Sequence, residues 1–365
     1  LTIDADLQKA AYDILEQEIA GILLAKMQDI LDYDRSGTED AADVIVASGD
    51  AYNAFISNDI VDMSHFSAED AGSAEKSVYS KFSSYKEQVI GQLTSILQDG
   101  NSTVYSNLSK EWKAYLTYLV SDVLTDSAGI IDSDAIDTDD ETYSEWISGG
   151  DINIYTYLNY AISQNWVDSS KLQDYLESGE KYSDSSEIYN AIVTYLTDRV
   201  QTDTSFDKLI YQYMIKAGTV TGSELCRIIY EQGVLEWDET QYNNLASGAT
   251  GAYDFLRSKI QSLEITPGQL GLEPCSGSVV ITDPDNGDVL ACVSYPGYDN
   301  NRLANTMDSA YFNELNTNSS LPLYNRATQE TTAPGSTYKP LSAVAGLTEG
   351  AVTLDTAVYC DGVYD

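Results

Sequence analysis

Nine consecutive uncharged residues, Pro340 to Thr348, stand in a chain in which 21% of residues carry charge. Apolar residues at helical steps within that run predict a buried helix, and Gly350 is placed to end it. Pro340 limits where the helix can begin, because a proline is tolerated only in the first turn, where its missing N–H would have no partner. Ser336 therefore stands at or next to the N-terminus, within Ala333-Pro334-Gly335-Ser336-Thr337-Tyr338-Lys339-Pro340. Lys339 follows three residues later, so its amine reaches back over the face that carries the Ser336 hydroxyl.

That pair suggests chemistry. The positive end of a helix dipole and burial both favour a neutral lysine, and a neutral lysine beside a serine takes the hydroxyl proton and makes a nucleophile. The spacing alone is weak, since Ser-x-x-Lys recurs at Ser73/Lys76, Ser83/Lys86, Ser178/Lys181 and Ser205/Lys208. Those four are read as surface coincidences. Only Ser336/Lys339 has Pro-Gly before it, Pro after it and an apolar run behind it.

Composition narrows the alternatives. With 58 acidic and 19 basic residues the net charge is −39, which repels nucleic acid and anionic membrane surfaces. The single histidine, His65, cannot build a zinc site or a Ser-His-Asp triad unaided. Any acyl transfer here needs another base, again a lysine. Cys226, Cys275, Cys292 and Cys360 are too few and scattered for a disulfide framework or metal cluster and are read as buried thiols. No run reaches the roughly 18 apolar residues of a membrane span.

Along the chain, a strand-like start at Leu1–Asp4 leads into a helix with Leu7, Ala11, Ile14, Leu15, Ile22, Leu23 and Met27 on one side. Helical patterns recur at residues 104–124, 152–162, 187–200, 206–217 and 222–230, with an acidic exposed loop expected over 126–141. The 28 tyrosines are expected at half-buried positions with wet hydroxyls. Asp32-x-Asp34-x-Ser36-Gly37 with Asp40 and Asp43 has the spacing of a calcium loop. A plain polar turn is the reading set ahead of it. Thr266-Pro267 caps a short helix to Leu272. Gly277–Asp283 and Asp288–Tyr295 form a hairpin about Pro-Asp-Asn-Gly, with Cys292 expected opposite Val279. The helix behind Ser336 is expected to pack on that sheet.

The Ser336 string, the opening Leu1-Thr2-Ile3-Asp4-Ala5-Asp6-Leu7-Gln8, the hairpin continuing into Tyr295-Pro296-Gly297-Tyr298-Asp299-Asn300, and Asn325-Arg326-Ala327 together resemble the transpeptidase domain of penicillin-binding proteins. The Tyr-Pro-Gly-Tyr-Asp-Asn segment looks more like the monofunctional class B enzymes than the bifunctional class A ones. The resemblance implies an α+β fold: residues 1–23 and 265–365 as the N-terminal part of a serine transpeptidase/β-lactamase-like domain, an antiparallel sheet with helices. Residues 24–264 are then a mostly α-helical acidic insertion. Family members have only a few tens of residues in its place.

The resemblance further implies that Ser336 is the nucleophile and Lys339 the general base of a peptidoglycan D,D-transpeptidase. Such an enzyme acts on stem peptides, is acylated by β-lactam antibiotics, and needs neither cofactor nor metal. It would sit at the outer face of the cytoplasmic membrane, anchored by an N-terminal helix that this sequence does not contain. The family's Ser-x-Asn and Lys-Thr/Ser-Gly elements follow the serine and would lie beyond Asp365, so the stretch alone is expected to be inactive or nearly so. Ser163-Gln164-Asn165 and Lys216-Ala217-Gly218 mimic them but precede Ser336 and receive no role. Two alternatives are a β-lactamase or β-lactam sensor sharing the Ser-x-x-Lys core, and a non-catalytic helical module docking cell-wall elongation or division proteins. The insertion is otherwise read as a structural spacer.

Overall fold

The computed structural model describes residues 2–34, 44–176, 184–357 and 359. In chain order the elements are α1 (Ala5–Lys26), β1 (Met27–Gln28), β2 (Val46–Ala47), α2 (Ser48–Ser57), α3 (Ser73–Gln98), α4 (Lys110–Thr117), α5 (Glu141–Ile147) and α6 (Ile154–Ser163). They continue as α7 (Ser185–Thr202), α8 (Thr204–Lys216), α9 (Gly222–Glu231), α10 (Glu239–Ser247), α11 (Ala252–Gln261) and α12 (Pro267–Leu270). The hairpin β3 (Gly277–Thr282) and β4 (Val289–Tyr295) follows, then α13 (Asn300–Leu303), α14 (Ser309–Thr317), α15 (Arg326–Gln329) and α16 (Lys339–Thr348). α4 runs on as a π-helix over Tyr118–Ser127. The architecture is α+β, a helical body joined to a small antiparallel sheet.

Local chemistry starts these helices. Asp4 accepts from the Asp6 and Leu7 N–H groups at the start of α1, and Asp184/Glu187 and Thr221/Glu224 form reciprocal capping boxes on α7 and α9. Asp203 caps α8. Part of the chain's acidity is thus spent at helix N-termini, where an anion satisfies free N–H groups and meets the favourable end of the dipole.

One contiguous core holds the helical body together. It begins with Ala20 and Leu23 on α1, runs through Phe55, Leu93, Tyr115, Leu158, Ile192, Tyr211 and Ile229, and ends at Leu270. The two central aromatics Phe82 and Tyr211 stack with centroids 4.3 Å apart. Several tyrosines depart from the half-buried expectation: Tyr115, Tyr157, Tyr211 and Tyr295 are fully buried. Burial is tolerable because partners are internal, as where Tyr115 donates to Glu111 at 2.7 Å.

α1 serves two bodies. Its C-terminal half joins that core, and the α11 residues Arg257 and Tyr253 donate to the carbonyls of Leu24 and Met27 at its end. Its N-terminal half lies on the β3–β4 hairpin, burying Ala291, Val293 and Tyr295 of β4. Gly277 allows the close approach, since a Cβ there would stand 3.2 Å from Leu15 and 3.3 Å from Ile19. Ile14 and Ile22, expected on the buried side, are exposed. The buried stripe is Ala11, Ile19, Ala20 and Leu23, because the helix has the sheet on one part of its surface and α11 further along.

The hairpin register also differs from expectation. Val289 faces Thr282, but a bulge between Ile281 and Thr282 then places Ala291 opposite Ile281 and Cys292 opposite Val280, not Val279. Cys226, Cys275 and Cys292 are free; Cys292 is half-buried and the other two are buried. Cys360 lies outside the described residues. The acidic loop over 126–141 is largely exposed, yet Ile130 and Ile131 are buried, and Ile131 bridges to Val167.

Candidate active site

Three of the four recognised stretches meet on β4. The Asp4 N–H donates to the Leu290 carbonyl at 2.9 Å and the Thr2 hydroxyl to Val289 at 2.6 Å. Gln8 completes the contact as though it were a third strand: its amide N–H donates to the Cys292 carbonyl at 2.8 Å and its oxygen accepts the Cys292 N–H at 2.7 Å. The partners are 284 residues apart in the chain. On the same strand the Ser294 hydroxyl donates to Tyr324 at 3.3 Å and accepts from the Arg326 N–H at 3.0 Å. The Arg326 guanidinium then ties back to the Ser320 and Leu321 carbonyls at 2.8 and 3.1 Å. Gln8 and Ser294 were invisible to local pattern reading, because the partner of each is set by tertiary packing.

The fourth stretch leaves this cluster along exposed residues 328–335. Gly335 adopts φ +55°, a left-handed conformation suited to glycine. A 3₁₀ turn over Gly335–Tyr338 follows, in which the Lys339 N–H donates to the Ser336 carbonyl. Residues three apart eclipse in such a turn, so Ser336 and Lys339 share a side. Pro340 occupies the first turn of α16, as its missing donor requires.

The surroundings of that turn differ from expectation. Ser336 and Lys339 are exposed, no hydrogen bond joins them, and α16 buries no residue. Leu341 and Val344 are 57% and 63% exposed. The helix does not pack on the sheet: α1 and α15 lie against β3 and β4 instead, and Val280 of β3 stays 51% exposed.

Contrast with the other Ser-x-x-Lys pairs is informative. Lys76 donates to the Glu69 carbonyl at 2.8 Å, Lys86 pairs with Asp207 at 2.6 Å and Lys208 with Asp59 at 2.7 Å. Ser178/Lys181 lies outside the described residues. Lys339 alone of the described set has neither an ion pair nor a hydrogen bond through its amine among the described residues. Ser163 turns back on the Tyr160 carbonyl, and Lys216 pairs with Asp32 at 3.1 Å.

Among the described residues no group of three His, Cys, Asp or Glu could hold a metal ion. The calcium-type loop falls largely on residues 35–43, outside the described residues; of its described members, Asp32 faces Lys216 and Asp34 faces Lys110 at 2.8 Å. His65 sits in the helical body, its Nδ1 2.7 Å from the buried Glu75 carboxylate. Among the described residues no helix is long and apolar enough to cross a membrane.

The segment that carries the hairpin, Arg326, Ser336 and Lys339 is also the segment that matches known proteins. Residues 277–364 match the penicillin binding protein transpeptidase domain. The chain is 41% identical over 93 residues to the peptidoglycan D,D-transpeptidase MrdA of Haemophilus influenzae, a stretch covering 26% of this chain and 14% of that protein. It is 42% identical over 85 residues to MrdA of Escherichia coli K12, covering 23% and 13%. It is 43% identical over 81 residues to the peptidoglycan D,D-transpeptidase PbpA of Mycobacterium tuberculosis, covering 21% and 16%. The matched stretch is thus about a seventh of the first of these relatives. No solved structure matches the chain. The matched segment begins at the glycine that receives α1 and includes the Ser336 turn.

Proposed function

We propose that this chain is part of a peptidoglycan D,D-transpeptidase in which Ser336 is the nucleophile and Lys339 its base. The observation that carries the reading is the transpeptidase match over 277–364, which contains Ser336 and Lys339 one 3₁₀ turn apart. The Lys339 amine supports it by having no carboxylate partner among the described residues that would hold it away from Ser336. In the reaction Oγ of Ser336 attacks the carbonyl of the terminal D-alanyl-D-alanine bond while its proton passes to the Lys339 amine. The C–N bond breaks, the proton goes to the departing D-alanine, and an ester remains on Ser336. A stem-peptide amine then attacks that ester, forming the cross-link and returning the proton to Oγ. The Ser336 N–H at the turn is a donor for the developing oxyanion.

β-Lactams acylate the same hydroxyl in this scheme, and the site faces the outer side of the cytoplasmic membrane, where stem peptides are found. The helical residues 24–264 act as a spacer that positions α1 under the hairpin. The test is covalent labelling of the whole protein by a fluorescent penicillin. Ser336→Ala abolishes labelling, whereas Ser83→Ala and Ser205→Ala leave it intact. Labelling that survives in Ser336→Ala overturns the assignment.

A further inference from the structure

Residues 24–264 and the segment that carries the hairpin and the Ser336 turn are joined at a narrow place. The Ser319 hydroxyl donates to the side-chain oxygen of Asn58 at 3.1 Å. Among the described residues no other hydrogen bond passes between 24–264 and 277–359. Two clefts, of about 400 Å³ and about 320 Å³, both have Asn58 in their walls. The junction is therefore a bridge with open space beside it, not a packed seam.

Asn58 is half-buried at the C-terminal cap of α2, and its side chain serves two routes. Its amide nitrogen donates to the Leu270 carbonyl at 2.7 Å and the Gln269 carbonyl at 3.2 Å, pinning α12. From α12 the Gly268 N–H donates to the buried Tyr295 hydroxyl at 3.1 Å. The second route leaves through Ser319. The next residue, Ser320, is buried, and its carbonyl accepts from the Arg326 guanidinium at 2.8 Å. The Arg326 N–H in turn donates to the Ser294 hydroxyl at 3.0 Å. Both routes thus end on neighbouring residues of β4, Ser294 and Tyr295. Arg326 also opens α15, the last element before the Ser336 turn, so its seating sets where that turn begins.

The backbone around the junction is built for this contact. Gly271 adopts φ +60°, and a Cβ there would run into the Ser319 hydroxyl and stand 3.0 Å from the Asn58 amide nitrogen. Asp59 and Leu321, one beyond Asn58 and the other just after Ser320, hold φ +55° and +51°. Left-handed backbone at residues with a Cβ persists only where the surroundings fix it. Lys208 fixes the first, pairing with Asp59 at 2.7 Å and donating to the Ser57 carbonyl at 3.1 Å.

We propose that Asn58 is a positioning residue: the helical body holds the 318–326 turn, and through it the start of α15 and the Ser336 turn, by this one side chain. The body then does more than space α1 from the hairpin. Only the acylation arm of the test rests on the transpeptidase reading.

The experiment compares Asn58→Ala and Ser319→Ala with Asn153→Ala in the whole protein. Asn153 is a matched control within the body, since its amide also donates to two carbonyls, those of Gly100 and Ser102, at 3.1 and 3.2 Å. Hydrogen exchange is followed at Ser320, Leu321 and Tyr324, whose N–H groups are bonded within the turn at 2.9, 3.0 and 3.0 Å, and at Arg326. Exchange there should quicken about fivefold in the two junction variants, the worth of one net hydrogen bond, and not in the control. Penicillin acylation, resolved into its binding and chemical steps, should slow by a similar factor in the chemical step alone. Adding Ser319→Ala to Asn58→Ala should slow it no further, as for two ends of one contact. Exchange unchanged in the junction variants, or equally quickened in Asn153→Ala, overturns the proposal. So does a chemical step at the wild-type rate in Asn58→Ala, or slowing that multiplies in the double variant. Wild type that is unlabelled, or labelled elsewhere than Ser336, sinks the transpeptidase reading instead, and exchange then decides the clamp. If Asn58→Ala fails to fold, Ser319→Ala, which removes only an exposed hydroxyl, decides alone.

Discussion

Gln8 is the contact on which the docking of α1 onto the hairpin can be tested most sharply. Its side-chain amide satisfies both the N–H and the carbonyl of Cys292, at 2.7 and 2.8 Å, on the edge of a sheet only two strands wide. Gln8→Ala strands both backbone groups. A stranded buried polar group costs about 1–3 kcal/mol, and since Gln8 and Cys292 are half-buried, water recovers part of it. The low end for each group gives about 2 kcal/mol in total, or roughly a 30-fold rise in the opening of β4. Hydrogen exchange over residues 289–295 reads that opening directly. Gln8→Met, which keeps the length and removes the amide, should match alanine if the hydrogen bonds matter and the packing does not. Gln8→Glu keeps the acceptor for the Cys292 N–H but sets a carboxylate against the Cys292 carbonyl, so it should also lose protection. Exchange over 289–295 within twofold of wild type in both Gln8→Ala and Gln8→Met would refute the reasoning.

Gly335→Ala forces a residue with a Cβ into φ +55°, at a position where that Cβ meets nothing within 4 Å. Only backbone strain acts, about 1 kcal/mol, and penicillin labelling of the whole protein should slow roughly fivefold; an unchanged rate would show that the turn does not need this conformation. His65 faces Glu75, with Asp70 and Asp62 nearby, and its pKa is raised above 6.5, chiefly by the hydrogen bond to Glu75. A raised histidine contributes stability that is fully present below its unfolded pKa and fades as pH rises through the folded value. Thermal unfolding of His65→Gln should therefore differ more from wild type at pH 5.5 than at pH 8.5 (both on the order of one to two units from the free histidine value), and a constant difference would contradict the pairing. Glu75 is held below its ordinary range despite its burial, which opposes the shift, by bonds from Gln232, His65 and Gly72. Its share of stability is present above pH 4.5 and lost on acidification through the lowered value, so Glu75→Gln should flatten the acid limb of the unfolding curve.

Much of the fold was legible because the signals are short-ranged. The helix start at Pro340, the Thr266-Pro267 cap and the Asp283–Asp288 turn each act within a few residues. Helices α6, α7, α8 and α9 fell where the apolar spacing put them. The long α3 was missed: its mean sequence is polar, and its buried Val78, Phe82, Val89, Leu93 and Leu97 form a thin stripe among serines and lysines. At the candidate site the Ser336/Lys339 turn was readable, but its exposure was not. An apolar run at helical spacing says that a face can be covered and does not say by what.

The sequence by itself determined most of the helices, the hairpin and the start of α16 at Pro340, because backbone dihedrals and hydrogen bonds within one turn depend on neighbours in the chain. Tertiary structure alone decided that α1 is shared between the helical core and the hairpin, that Gln8 answers Cys292, that a bulge sets Cys292 against Val280, and that Glu16 lies half-buried in a tyrosine-walled cleft. Each of these depends on which surfaces of distant segments compete for one another, and pairing across some 284 residues leaves no mark on the local pattern.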